Sequence, residues 1–456
     1  MKDEANDAIN NLLKNLKFDP NLLEQLNFIQ KETVPEIKEA LTRANKDYLH
    51  WEELQYKSWL PIKNFSAKED FWALVKHKRN YEAIDTPIRD KSGRYYRINI
   101  ARHQDILYSI DQEMYRNSLE GINFPDKSII NTMDEAITSS QFEGANTSRA
   151  AAKKMLLEGR APHDVSETMI KNNHLAMLKI EQEFHKEELS LDMLFTLHKI
   201  ITHETSLARG QQGILRETFD VNGNRLAIRP WGGDTIVYTA PDKEFVEAEL
   251  PKLIDFANDK QSDKHGFFHP VIKAVMLHFW VGLLHPFEDG NGRLARVLFY
   301  WYLFKQGYET FKYLSLSEKI LNSREQYNKA YIYSEQDPLD LTYFLNYNIK
   351  KIELARKEFQ EYIKKKNSQK QLISTTLQDR HNFNERQMKL LQYLKQDINS
   401  RTNLAAYQSL YLVKKGAAIA DLKELVEQGF LTKKKVGRNT FYYPTKEVTR
   451  FFTMVN

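Results

Sequence analysis

The sequence predicts a mostly α-helical chain with one small β-hairpin and a compact C-terminal unit that ends in a β-wing. Three observations predict it. The 456 residues hold only 13 prolines and 17 glycines, few breaks for so long a chain. Apolar residues recur at helical spacing in several segments, as Ile129, Ile130, Met133, Ile137 and Phe142 do. Strand-like alternation is short and local, the clearest case flanking Asn222-Gly223.

Composition narrows the class. The chain has no cysteine, which excludes disulfides and thiolate metal sites and suits a reducing, cytoplasmic setting. Its N-terminus, Met1-Lys2-Asp3-Glu4, has no apolar signal core. No run approaches the ~20 apolar residues of a membrane span, so no membrane partner is expected. The formal charge of +5 is small for this length and does not by itself point to nucleic acid.

In chain order, residues 1–110 read as an N-terminal helical region. Val34, Ile37, Leu41 and Tyr48 form one helical stripe, Trp51, Leu54, Trp59 and Leu60 precede Pro61, and Arg94 to Ile100 alternates as a short strand at most. Residues 111–365 read as the main domain. A helix over Asp126 to Glu143, stopped by Gly144, sets Ser139 and Glu143 on one face. Helices follow over 148–159, 165–186 and 190–204. Then Thr218–Val221 and Arg225–Ile228 flank Asn222-Gly223, a strong hairpin signal, and Gly232-Gly233-Asp234 turns into Thr235–Tyr238 before Pro241.

Pro270 to Leu284 reads as a buried helix that Pro286 should end at His285. Leu294 to Phe304 reads as a second buried helix, and Glu353 to Lys366 as a long polar one. Residues 366–382 form a linker and 383–456 a separate unit. In that unit Met388, Leu391 and Leu394 mark one helix, Ala405–Leu410 a second and Ala418–Gln428 a third. Phe430 to Tyr443 then makes a β-wing with Lys433, Lys434, Lys435 and Arg438.

Between the two buried helices runs His285-Pro286-Phe287-Glu288-Asp289-Gly290-Asn291-Gly292-Arg293-Leu294-Ala295-Arg296. Gly290 and Gly292 let backbone N–H groups converge, and the following helix aims its positive dipole end at the same point. Arg293 and Arg296 add two charges that pair bidentately with phosphate oxygens. Asp289 is a hard oxygen ligand of the kind that holds Mg²⁺ beside a nucleotide. His285 has an ordinary pKa of about 6.5, which suits a proton acceptor near neutrality. No Lys stands in the loop and no Ser or Thr follows it, so this is not a P-loop.

These twelve residues resemble the Fic family signature, HPFx(D/E)GNGRxxR, at every defined position. Ser139-Ser140-Gln141-Phe142-Glu143-Gly144 resembles the (S/T)xxxE(G/N) inhibitory motif of the class that carries it on an N-terminal helix, and the continuation from Ala145 to Ala152 looks like that class too. The hairpin near Asn222 resembles the Fic flap, which holds a target segment by strand addition. The WEEL and FWALV stretches resemble the region that often precedes the Fic core.

What the resemblance implies is a Mg²⁺-dependent protein adenylyltransferase of mostly helical Fic fold. ATP is the co-substrate, and AMP goes to a Ser, Thr or Tyr hydroxyl of a protein, the chain itself among the candidates. On this reading His285 is the base and Asp289 holds the metal. Gly290, Asn291, Gly292, Arg293 and Arg296 bind the phosphates, and Ser139 with Glu143 inhibits. Tyr313 to Ser317 and Arg324 to Tyr327 resemble stretches that close the nucleotide side, where Tyr327 either stacks on adenine or fills the core.

Other outcomes stay open. They are transfer of UMP, phosphocholine or phosphate, removal of AMP with Glu143 placing a water, and DNA regulation through residues 383–456. Gly292 weighs against phosphate transfer, since that branch departs from the second glycine of the motif. The last unit has the order of a winged helix. Yet Gly416-Ala417-Ala418-Ile419-Ala420 lacks the Arg, Lys, Asn or Gln of direct base readout. Because every motif residue precedes the Lys364–Lys366 run, deleting 383–456 is expected to leave transfer intact.

Overall fold

The computed structural model describes residues 34–455 except 62, 64, 66, 121–124, 208–209, 220–222, 224–226, 229–237, 261–265, 338, 374–382, 396–399, 412 and 438. Residues 1–33 of the N-terminal region, most of the expected flap, half of the expected linker and Arg438 therefore lie outside the described residues.

Helix α1 (Pro35–Asp47) buries Ile37, Ala40, Leu41 and Ala44 against α3 (Lys68–Glu82), with the short α2 (Trp51–Leu54) between them. Val34, placed on the same stripe, is instead left at the surface where the helix begins. Arg79 of α3 is buried and donates to Asn45, Ala44, Leu49 and the Tyr343 hydroxyl. The region is thereby fastened to the rest of the chain. The strand expected near Arg94 is β2 (Tyr95–Ile98), and it pairs antiparallel with β1 (Ile84–Arg89), whose pattern Pro87 had obscured.

The core is built on two helices. Nearly every residue of α10 (Pro270–Leu284) is buried, as in a helix that is apolar all round. Its partner α11 (Asn291–Lys305) crosses it closely and is buried from Leu294 to Phe304. Around the pair stand α7 (Val165–Gln182), α8 (Leu191–Thr202), α9 (Lys243–Ala257), α12 (Leu316–Leu321), α13 (Arg324–Gln336) and α14 (Thr342–Ile373). Helix α4 (Gln104–Glu120) packs Leu107 and Ile110 into the same core. Helix α14 runs through the Lys364–Lys366 run to Ile373, past the expected start of the linker, because a run of lysines can be solvated on a helix.

Ala227 pairs with Thr239 and Ile228 with Tyr238, so β3 (Ala227–Ile228) meets β4 (Tyr238–Thr239) and not the 218–221 run expected across Asn222-Gly223. Asn222 lies outside the described residues.

Helix α5 (Pro125–Phe142) lies against α11 and α12 on one side. On the other, Met133 and Ile137 enter a second core with α6 (Arg149–Glu158) and the C-terminal unit. That unit consists of α15 (Glu385–Leu394), α16 (Leu404–Tyr411), α17 (Lys415–Glu427) and α18 (Lys446–Val455) around a sheet of order β5-β7-β6. Strands β6 (Leu431–Val436) and β7 (Asn439–Pro444) form the wing, and the short β5 (Thr402–Asn403) joins its edge. Sequence pattern had shown neither β5 nor α18.

Candidate active site

The motif loop is held by its own side chains. Asn291 accepts from the Phe287 N–H at 3.0 Å and donates to the Phe287 carbonyl at 2.7 Å, closing a ring across the turn. These two bonds tie the Asn291 side chain to the turn, so it shapes the loop. Gly290, with φ 84°, caps α11 in a left-handed conformation. A Cβ there would lie 2.9 Å from Thr202 Cγ2. His285 ends α10, its N–H bonded to the Val281 carbonyl, and its φ of 45° is left-handed rather than extended. Pro286 does end the helix, but through this turn.

Behind the loop is an anion cradle. Arg293 is fully buried, with Nη1 on the Ile201 carbonyl and Nη2 3.2 Å from Asp289 Oδ2. Arg296 donates through Nε to Ser139 Oγ at 2.8 Å and through Nη2 to Glu143 Oε1 at 2.7 Å. Arg293 Nε and Arg296 Nη1 are buried donors without partners, an arrangement that suits a further anion. Gly292 leaves the space into which Glu143 reaches, because a Cβ on it would lie 2.2 Å from Glu143 Oε1. Asp289 accepts from the Gly290 N–H and keeps 44% of its side chain exposed. A single half-exposed carboxylate fits Mg²⁺ that takes its remaining ligands from phosphates and water. Among the described residues no cluster of three metal-ligating side chains occurs, so any ion bound here would rest on Asp289 and the nucleotide.

The segment Ser139 to Gly144 ends in a turn that presents Glu143. The Ala145 N–H bonds the Ser140 carbonyl, the Gly144 N–H bonds that of Gln141, and Gly144 has φ 98°. This is a Schellman closure with glycine at its left-handed position. Phe142 packs its ring between Arg296 and Arg324, whose guanidinium carbons lie 5.1 Å and 4.2 Å from its centroid. One turn before Ser139, the buried Glu135 accepts from Tyr300 Oη, Ser315 Oγ, and both the N–H and hydroxyl of Ser317. Glu135, Ser139 and Glu143 thus share one face, and it meets Arg296 and Tyr300 of α11.

With this geometry in view, comparison with known proteins is informative. Residues 188–303 match the model of the Fic/DOC family. The chain carries a Fic domain. It is 32% identical to the protein adenylyltransferase fic-1 of Caenorhabditis elegans over 122 residues, 27% of this chain and 20% of that protein. It is 22% identical to the protein adenylyltransferase Fic of Drosophila willistoni over 227 residues, 46% of this chain and 42% of that one. The chain spans less than half the length of these relatives. Among solved structures, a Fic family protein from Desulfovibrio desulfuricans superposes with a TM-score of 0.45 at 14% identity, covering 74% of this chain and 94% of that one.

Within the Fic domain the motif histidine is neutral. Burial and, after it, the Arg216 charge lower the His285 pKa to about 4, against the opposing pull of Glu143 and Asp289. A neutral imidazole keeps one ring nitrogen as an acceptor. Tyr327 is buried: its ring stands edge-on to Phe142, and its hydroxyl meets His278 Nε2 at 3.0 Å. It therefore packs in the core beside Phe142.

Sequence reading gave no individual role to three residues at the site, though Arg324 lay in a stretch placed on the nucleotide side. His198 stacks on Phe287, Nε2 donating to the Asp289 carbonyl and Nδ1 accepting from the Gly213 N–H. Its ring thereby ties the motif loop to the 213 turn. Arg324 reaches the segment Ser139 to Gly144 from the start of α13, bonding the Gln141 carbonyl at 3.5 Å. Arg216 binds the main chain at His285. Each is a lone polar residue outside the motif, so only its spatial partners distinguish it.

Proposed function

We propose that this Fic-domain chain is a protein adenylyltransferase that moves AMP from ATP to a hydroxyl of a protein and is held off by Glu143. The observation that carries the reading is the carboxylate of Glu143 standing over Gly292 on Arg296, in the place an outer phosphate would take. Two relatives named protein adenylyltransferase support the reaction class.

On this reading neutral His285 accepts the proton of a Ser, Thr or Tyr hydroxyl as its oxygen bonds to the α-phosphorus and pyrophosphate leaves. Arg293, Arg296 and the first amides of α11 hold the remaining phosphates. The chemistry that Mg²⁺ would supply at Asp289 is neutralisation of phosphate charge. The hairpin around 229–237 would hold the target strand. Among the described residues no helix is long and apolar enough to cross a membrane, and the cysteine-free sequence fits a cytoplasmic role.

Glu143 keeps 27% of its side chain exposed, enough to place a water, so removal of AMP from a modified protein is the second reading. Intact-mass measurement of wild type and variants with ATP and Mg²⁺ tests both. Glu143→Gly should raise AMP transfer by about one to two orders of magnitude, the scale of a reacting-atom misplacement of ~1 Å. Adding His285→Ala should remove it. Unchanged transfer in Glu143→Gly would exclude inhibition by Glu143, and loss of an AMP-removing activity in that variant would reverse the direction of the reaction.

A further inference from the structure

We propose that Arg216 is a positioning residue for His285, fixing its main chain in the left-handed turn and tying that turn to both ends of the flap segment. The inference rests on the role of His285 as base.

Arg216 is only 4% exposed. Its Nε donates to the His285 carbonyl at 2.6 Å, its Nη2 reaches the Leu284 carbonyl at 3.4 Å, and its own N–H bonds the Pro286 carbonyl at 3.0 Å. One residue therefore takes three successive carbonyls at the end of α10, where a helix leaves such groups without internal partners. The same guanidinium reaches Glu217 O through Nη1 at 3.1 Å and Pro241 O through Nη2 at 2.7 Å. Those two carbonyls flank 218–240, the segment that contains the hairpin. Among the described residues, every hydrogen bond Arg216 makes goes to a main-chain carbonyl.

His285 requires such support. A residue with a Cβ seldom adopts positive φ, and Pro286 disfavours the helical alternative. The turn is therefore held from outside, and Arg216 supplies the only guanidinium bonded to it among the described residues. Tyr238 adds a second tie, its hydroxyl donating to the Leu283 carbonyl at 2.9 Å. A target strand docked on β4 would thus be registered to the base through the same few bonds. Lysine cannot replace the arrangement, since one ammonium lacks the planar fork that spans separate acceptors. The Arg216 charge also favours neutral His285, while Glu143 and Asp289 act the other way.

The test uses the full chain carrying Glu143→Gly, with Arg216→Lys and Arg216→Met added separately. Both should lower kcat for AMP transfer by about 10²-fold, the scale of a small misplacement of a reacting group, with Kd for ATP unchanged. The Cα and Cβ chemical shifts of His285 should lose their left-handed signature. Arg216→Met should also move the acid limb of kcat/KM to higher pH, whereas Arg216→Lys, which keeps the charge, should not. Undiminished kcat in both variants, or unchanged His285 shifts in a folded variant, would overturn the proposal. If Glu143→Gly transfers no AMP, the proposed function fails, and the His285 shifts still decide the role of Arg216.

Discussion

A Cβ placed on Gly292 would lie 2.2 Å from Glu143 Oε1 and 3.4 Å from Arg296 Nη1. The carboxylate now in the cradle and a phosphate in its place need the same volume. Gly292→Ala should therefore break the clamp without activating the enzyme, unlike Glu143→Gly, which empties the cradle. Added to Glu143→Gly, it should abolish transfer and weaken ATP binding, as read by calorimetry. A double variant with full transfer would put the phosphates elsewhere.

Helix α5 presents Glu135, Ser139 and Glu143 at four-residue intervals, and α11 answers with Tyr300 and Arg296 at the same interval. The clamp is thus the end of a row of contacts rather than one ion pair. Burial raises the pKa of Glu135 despite its Ser317 and Tyr300 partners, so that end of the row is anchored by hydrogen bonds more than by charge. Ser139→Ala removes one bond to a buried guanidinium, a loss of about 1.5–3 kcal/mol. Transfer should rise in this variant, but less than in Glu143→Gly, whose side chain fills the cradle. An equal or larger rise would shift the weight of inhibition to Ser139.

The C-terminal unit and α5 share a core. Met133 and Ile137 of α5, Met155 of α6 and Ile170 of α7 are buried with Leu390, Leu391, Leu394 and Tyr407. Asn403 and Thr402 donate to the Glu158 and Leu157 carbonyls at the end of α6. A Cβ on Gly159 would lie 2.4 Å from Ala406 Cβ. These contacts tie residues 383–456 to the helix that carries Ser139. Deletion would expose four buried apolar side chains, each worth about 1.5–3 kcal/mol when covered. It should lower the melting temperature and raise AMP transfer, because α5 loses its packing against α15 while α7, α11 and α12 remain. Transfer equal to that of the full chain would show that α7, α11 and α12 suffice to hold α5.

Much of this was legible in sequence because its physics is local. Pro286 stops α10, Gly144 closes α5, and the shared face of Ser139 and Glu143 follows from period alone. The charges of Arg293, Arg296 and Asp289 also name the chemistry of the loop without a structure. Local pattern could not say which of these groups is already taken. Asn291 is bonded to Phe287, Tyr327 packs beside Phe142, and Glu143 lies on Arg296 only because α5 and α11, more than a hundred residues apart, pack side by side. Arg216 and the shared C-terminal core were invisible for the same reason. Period and composition report what a residue can offer, whereas long-range packing decides which partner it meets.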